Sequence, residues 1–208
     1  NFKRFASAVA DTALKSGAAD VATLRDAAGP DGESLEQMRA GLVAKIGENI
    51  EIRRFTVLAA DGGVVQSYLH GKRIGVLVAL TGGNAELARD IAMHIAASNP
   101  VCVSEAEMPA DVIAKEREIY SAQAAESGKP ADIVEKMVVG RLKKFMAETT
   151  LLGQPFVKDP DQTVEKLLKS NGAMVTRFVR YEVGEGIDKK EDNFVEEVMA
   201  QARSATQR

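Results

Sequence analysis

The sequence predicts an α+β fold in which small antiparallel meander sheets pack with helices, a helical hairpin (coiled coil) protrudes and a helix ends the chain. Three observations carry this prediction. Residues 52–80 are rich in strand formers and are divided by glycine-containing turns. Apolar residues recur at helical spacing on both sides of that block. Residues 109–150 have a purely helical pattern with a Gly-Lys-Pro turn in the middle.

The composition excludes several classes of protein. The longest apolar run is far shorter than the roughly 20 residues of a membrane helix, so we expect no membrane contact. A net charge of −3 over 208 residues argues against direct binding to nucleic acid. The single cysteine, Cys102, cannot form an internal disulfide. It predicts a reducing compartment, and we therefore expect a cytoplasmic protein.

Two helices are predicted in the N-terminal third. The first ends at Ser16-Gly17, and a loop follows at residues 27–32. Ser34 and Gln37 match a capping box that starts the second helix. Gly47 either ends that helix or lets another backbone approach closely. The apolar stripes of the two helices comprise Phe2, Phe5, Ala6, Val9 and Ala13, and then Leu35, Met38, Leu42 and Ile46.

A three-stranded meander is predicted next. Its strands cover residues 52–60, 64–69 and 73–80, with a turn at 61–63 and a tight two-residue turn at His70-Gly71. The third strand is continuously apolar, which is typical of burial on both faces.

A further helix begins at Asn84, a good N-cap residue, and ends at Asn99-Pro100. Its apolar side consists of Leu87, Ala88, Ile91 and Ile95. His94 lies at the flank of that side, and we interpret it as a packed, hydrogen-bonded core histidine.

The antiparallel hairpin at 109–150 turns at residues 127–130. Each arm is about 25–30 Å long at 1.5 Å per residue, so we expect a protruding module. Its apolar stripe is interpreted as the seam between the two arms. The stripe includes Val112, Ile113, Ile119 and Tyr120 on the first arm, and Val134, Val138, Leu142 and Phe145 on the second.

The C-terminal part begins with a loop at 153–157 and a Pro/Asp-rich stretch. A short helix carrying Leu167 and Leu168, a strand at 174–183 and a break at 184–186 follow. The final segment, 193–205, is predicted to be an amphipathic helix that docks on its own core or on a partner.

Patterns that carry bond-making chemistry are missing. The Gly-Lys-Pro at 128–130 lacks the rest of a phosphate loop, and Gly-Glu-Gly at 184–186 lacks the third glycine of a dinucleotide fingerprint. Two histidines and one cysteine are too few for an ordinary zinc site. We therefore predict no catalytic residue, no metal and no cofactor. From the residues alone, this is an interaction protein with an unnamed partner, and His70 is either a turn residue or a contact residue.

Several longer strings of the sequence are distinctive. The first is Lys-Ile-Gly-Glu-Asn-Ile at 45–50, followed by Ile-Arg-Arg at 52–54. The others lie at 67–71 with 73–78, 91–97, 127–130, 140–145, 153–157 and 180–186. Taken in order and over essentially the whole chain, these strings resemble bacterial translation elongation factor Ts.

This resemblance implies a guanine-nucleotide exchange factor without bond-making chemistry. It would bind the GTPase elongation factor Tu and speed the release of GDP. The hairpin would correspond to the family's coiled-coil or dimerisation module, which allows self-association. Two alternatives remain: a structural adaptor that uses the hairpin and terminal helix without promoting exchange, and an enzyme with an unrecognised site.

The resemblance also implies partner-binding residues. They are Ile46, Gly47, His70, Gly71, Phe156, Val157, Phe194, Val195, Val198 and Met199. His70 matches a meander histidine that meets a helix of the GTPase domain. The family often carries Met after the valine of the post-hairpin loop, where this chain has Lys158.

Four modules follow from the resemblance. They are a core N-subdomain at 1–63, a core C-subdomain at 64–108 and 151–187, the hairpin at 109–150 and a C-terminal helical module at 188–208. The family's N-terminal ubiquitin-associated-like domain and its Thr-Asp-Phe-Val motif do not occur in these 208 residues. The expectation is that this chain keeps partner contacts but promotes GDP release weakly.

Overall fold

A computed structural model describes residues 1–60 and 62–186 and confirms the α+β prediction. The helices are α1 (Phe2–Ser16), α2 (Val21–Asp26), α3 (Leu35–Ile46), α4 (Ala85–Ser98), α5 (Ala110–Ala125), α6 (Ala131–Thr149) and α7 (Val164–Ser170). The strands are β1 (Val64–His70), β2 (Ile74–Thr81), β3 (Pro155–Phe156), β4 (Asp159–Thr163) and β5 (Met174–Glu182). No helix in this part of the chain is both long and apolar enough to cross a bilayer.

The main sheet is antiparallel with the order β1-β2-β5, which corrects the predicted meander. Residues 52–60 form no strand. Both edges of β2 are occupied, one by β1 and the other by β5, so the central strand has no edge for a third partner. The strand formers in 52–60 instead serve packing: Ile52 is buried and Phe55 packs against the same N-terminal cluster.

The turn after β1 also differs from the prediction. His70 pairs with Ile74 and is the last residue of β1, so the connection has three residues, Gly71 to Arg73. Gly71 has a φ of 58°, in the left-handed region that glycine adopts without steric cost. His70 is therefore a strand residue whose side chain follows the alternation of the sheet.

The predicted helix ends agree with the structure. Ser34 and Gln37 form the capping box of α3, and Gly47 ends that helix in a left-handed conformation. The Asn84 side chain accepts from the backbone N–H of Leu87 at the start of α4. The helix α2 is an addition, started by the Asp20 side chain, which accepts from the N–H of Thr23.

The described residues form two main hydrophobic clusters and a smaller one. The larger cluster lies between the β1-β2-β5 sheet, α4 and the segment after the hairpin. A second cluster joins α1, α2 and α3 with Ile50 and Ile52. Phe2 and Ile46, both expected in apolar stripes, are 58% and 40% exposed, because each lies at the end of its helix. In α1, Ala8 and Thr12 are buried with Phe5 and Ala13.

The hairpin of α5 and α6 is present as predicted, and its seam has its own small cluster. That cluster comprises Ala124, Val138 and Leu142, with Tyr120 and Val134 packed against it. Pro130 lies at the N-cap of α6, one position before the predicted first turn. Ile119, at 39% exposed, lies away from the seam to which it was assigned.

The predicted loop at 153–157 and the stretch after it contain a two-stranded sheet, β3 with β4. Pro155 is compatible with this short edge pairing because proline at the first position of a strand need not donate a ladder bond. The C-terminal helix predicted at 193–205, with Phe194, Val195, Val198 and Met199, lies outside the described residues.

Candidate protein-binding groove

A surface groove brings together two of the predicted contact residues, His70 and Val157, from distant parts of the chain. It lies between the ends of β1 and β5, the second half of α4 and the segment after β3. We call it the β1–α4 groove, and its volume is about 490 Å³. Its lining consists of Tyr68, His70, Ile74, Met93, Ala96, Ala97, Val157, Lys158 and Arg180.

His70 is the exposed imidazole of the groove. Its Nδ1 lies 3.3 Å from the hydroxyl of Tyr68, two residues earlier on the same face of β1, and the two groups share a hydrogen bond. The two rings are 6.2 Å apart and tilted by 35°. This contact orients the imidazole while leaving it accessible. Gly71 follows in the exposed turn.

Phe156 and Val157 have different environments. Phe156 is only 4% exposed and packs with the sheet and α4, whereas Val157 is 44% exposed and lines the groove. Phe156 is therefore an anchor beneath the surface, and Val157 is the residue that a partner can contact.

His94 holds the segment around Val157 from the side of the core. It is completely buried, and its Nδ1 accepts from the backbone N–H of Val157 at 3.2 Å. Because Nδ1 is an acceptor, Nε2 carries the proton and donates to Oε1 of Gln154 at 3.0 Å. Burial lowers the pKa of His94, an effect that the hydrogen bond to Gln154 partly offsets. The expectation of a packed, hydrogen-bonded histidine is confirmed.

Lys158 is held by the same helix. Its Nζ donates to Oδ1 of Asp90 at 2.6 Å, and Asp90 lies one turn before His94 on α4. Two side chains of α4 thus hold two consecutive residues of the segment, Val157 through its backbone and Lys158 through its ammonium group.

Arg180 gives the groove a cationic floor. Its side chain is 9% exposed, and Nη2 donates to Oε2 of Glu182 at 2.8 Å. Within residues 1–60 and 62–186, its Nε and Nη1 are buried without a hydrogen-bond partner. Arg180 is not among the contact residues predicted from the sequence. The alternation of β5 places it on the same face as Phe178 and Glu182, but only the pairing of β5 with β2 brings it into the groove that His70 also lines.

Ile46 and Gly47 lie elsewhere, at the exposed end of α3, and do not line the groove. The backbone that follows is fixed by Arg39, whose Nη1 donates to the carbonyl of Ile50 at 2.9 Å. Arg39 also pairs with Glu36 at 2.6 Å. Its hydrogen bonds, together with those of Arg25, lower the pKa of Glu36 to about 2.

Two strings that resembled the family separately are in contact. Arg53 donates to the backbone carbonyls of Glu185 and Gly186, at 2.6 and 2.9 Å. The guanidinium of Arg54 lies 4.2 Å above the ring of Tyr181. The N-terminal cluster is thus joined to the end of β5.

The described residues contain no group of three or more His, Cys, Asp or Glu side chains that could hold a metal ion. The lone Cys102 has its pKa raised by burial, which disfavours the reactive thiolate.

Comparison with known proteins agrees with the family resemblance described for the sequence. Residues 1–185 match the family described as Elongation factor TS. Elongation factor Ts of Thioalkalivibrio sulfidiphilus is 63% identical over 206 residues, which cover 99% of this chain and 70% of the relative. The proteins of the same name from Methylococcus capsulatus and Legionella pneumophila are 62% and 58% identical, with coverage of 99% and 98% of this chain and 70% of each relative. The chain belongs to the elongation factor Ts family and is a translation elongation factor.

Proposed function

We propose that this protein is a nucleotide exchange factor that binds the GTPase elongation factor Tu and promotes GDP release without bond-making chemistry. The observation that carries the proposal is the β1–α4 groove, in which His70 and Val157 line one accessible surface. Membership of the elongation factor Ts family supports elongation factor Tu as the partner.

The groove has the chemistry of a docking site for a helix. Its apolar wall includes Ile74, Met93 and Val157. Its polar groups are the Tyr68 hydroxyl, the His70 imidazole and two cations, Lys158 and Arg180, each of which already pairs with a carboxylate of this chain. An amphipathic helix that carries an apolar side chain and a hydrogen-bonding polar side chain would complement both parts. This composition supports a GTPase helix as the occupant.

Binding alone can release a nucleotide. If the factor weakens GDP binding by a given ratio, GDP weakens the factor's binding by the same ratio. Each factor of ten requires about 1.4 kcal/mol of contacts that are better in the nucleotide-free GTPase. No general base takes part in this mechanism.

Other surfaces complete the proposed interface. Ile46 and Gly47 supply a second contact from the N-subdomain at 1–63, and Gly71 flanks His70. Phe194, Val195, Val198 and Met199 supply a third contact from the module at 188–208. Phe156 acts through Val157, since its own ring is buried.

We further propose that the hairpin at 109–150 supports self-association. Ile133 and Val139 on α6 are 41% and 53% exposed, and such apolar side chains favour contact between copies. Sedimentation of the wild type and of Val139→Lys tests this. A concentration-dependent dimer that the variant loses supports the proposal, whereas a wild type that stays monomeric contradicts it.

A stopped-flow assay of fluorescent GDP leaving elongation factor Tu tests the exchange function. His70→Ala should lower the affinity for the GTPase about tenfold, because it removes an aromatic contact at the interface. Leu69→Ala is the control, since Leu69 is exposed on the opposite face of the same strand.

Two results would contradict the proposal. Binding of the GTPase without any acceleration of GDP release would favour the structural adaptor. Equal affinities for His70→Ala and the wild type would remove the groove from the interface.

A further inference from the structure

His94 of α4 holds the backbone of Val157 from inside the core. We infer that His94 is a positioning residue for docking: through the Nδ1 bond to the Val157 N–H, it fixes where the Val157 side chain lies in the β1–α4 groove. This inference rests on the proposed docking of the GTPase in that groove.

The hydrogen bonds of His94 fix the position of the backbone at Val157, in addition to the packing that its ring provides. The imidazole uses both nitrogens, one for Gln154 and one for Val157. Gln154 in turn donates from Nε2 to the carbonyl of Glu148, the penultimate residue of α6, at 2.9 Å. These hydrogen bonds fix the position of the segment 154–157 relative to both α4 and the base of the hairpin.

The N–H of Val157 needs an acceptor from outside its own small sheet. In the β3–β4 pairing, the ladder ends with Phe156 opposite Asp159, so Val157 lies in the turn. The ring of Phe156 lies 5.9 Å from that of His94, so the same histidine also packs against the anchor residue. Removing the acceptor frees Val157 while leaving Phe156 in the core.

Substitution of His94 by asparagine or by glutamine tests the hydrogen bonds of its two nitrogens separately. The Oδ1 of an asparagine lies near the position of Nδ1 and can accept from Val157. The amide of a glutamine reaches the position of Nε2 and can donate to Gln154. His94→Asn therefore keeps the bond to Val157, and His94→Gln keeps the bond to Gln154.

The experiment measures the affinity of the full chain for nucleotide-free elongation factor Tu by calorimetry. It also measures amide hydrogen exchange at Val157 in the free protein. Thermal melting of each variant monitors folding. Val175→Ala is the control for general loss of packing, because Val175 is buried in the same core at the opposite end of the sheet from His70.

We expect His94→Gln to weaken binding about tenfold, the effect of losing roughly one hydrogen bond's worth of positioning. Exchange at the Val157 amide should accelerate in that variant. His94→Asn should bind within about threefold of the wild type, since one acceptor is retained. Val175→Ala should bind as the wild type does, even where its melting temperature falls further.

Equal weakening by His94→Asn and His94→Gln would overturn the inference, because it would assign the effect to packing. Weakening by Val175→Ala in proportion to its lost stability would overturn it as well. The variant Val157→Ala tests the proposed docking surface separately. If its affinity for elongation factor Tu equals that of the wild type, Val157 does not belong to the interface. In that case hydrogen exchange at the Val157 amide tests whether His94 positions Val157. Faster exchange in His94→Gln alone supports that role, and any other pattern contradicts it.

Discussion

His94 and Gln154 share a hydrogen bond of 3.0 Å inside a core that hides both side chains from solvent. The imidazole is neutral there, because burial lowers its pKa below the ordinary value of 6.5. The unfolded chain therefore takes up a proton at a higher pH than the folded chain does. By linkage, acidification favours the unfolded state.

We predict that the contribution of His94 to the free energy of unfolding is constant above about pH 7 and falls as the pH is lowered from 6.5 toward the folded pKa. Urea unfolding at pH 7.5, 6.5 and 5.5 measures this. His94→Asn is the control, since it removes the titrating group and should flatten the dependence. A wild-type profile that matches the control would contradict the prediction.

Glu36 makes the free energy of unfolding depend on pH in a second, more acidic range. Its pKa of about 2 lies below the usual value of 4.5, first because of the hydrogen bonds from Arg39 and then because of those from Arg25. The stabilisation is present above pH 4.5 and is lost as the pH falls toward 2. Acid unfolding followed by circular dichroism should begin at a higher pH in Arg39→Met than in the wild type, and coincident curves would argue against this coupling.

Two glycines near the hairpin should respond in opposite directions to alanine. Gly140 is inside α6, and an added Cβ there meets nothing within 4 Å, so Gly140→Ala should stabilise the protein by about 0.5–1 kcal/mol. A Cβ on Gly153 would overlap the carbonyl oxygen of Ala147, so Gly153→Ala should destabilise it by about 1–3 kcal/mol. Chemical denaturation measures both, and a shift of the same sign in the two variants would refute the assigned environments.

The hydroxyls of Thr56 and Tyr181 are 2.6 Å apart and link the segment 52–60 to β5. A double-mutant cycle with Thr56→Val and Tyr181→Phe should give a coupling energy of about 1 kcal/mol, as expected for one hydrogen bond. Each single variant keeps the shape of its side chain, so packing changes are small. Additive effects in the cycle would show that the bond contributes no stability.

Local signals in the sequence were sufficient for much of the fold. The ends of α3 and α4 could be predicted because Ser34, Gly47 and Asn84 act on backbone groups within a few residues of themselves. The helix α2 was missed because it has only six residues, too few for a clear apolar period. The Asp20 N-cap was the one available signal.

The strand prediction at 52–60 was wrong for a physical reason. Strand-forming residues indicate a half-buried environment, and Ile52 and Phe55 do pack against a core. The partner that completes a sheet is chosen by contacts distant in sequence. Here β5 occupies the second edge of β2, a pairing between segments separated by the whole hairpin.

The groove could be predicted only in part. His70 and Val157 were selected by resemblance, but their shared location depends on how β1, α4 and the β3–β4 turn pack together. Arg180 and Met93 became visible only once β5 and α4 were placed. His94 was correctly expected to be buried, whereas its bond to the Val157 backbone depends on how α4 packs against the β3–β4 turn.

The contact of Arg53 with the carbonyls of Glu185 and Gly186 has a consequence for biosynthesis. The ribosome must add more than 130 residues after Arg53 before its acceptors exist. At 5–20 residues per second, this takes on the order of 10 s, whereas the cluster around α1, α2 and α3 is drawn from residues up to 55. The cluster around α1, α2 and α3 can therefore pack while synthesis continues, and Arg53 joins it to the end of β5 only after Glu185 and Gly186 have been added.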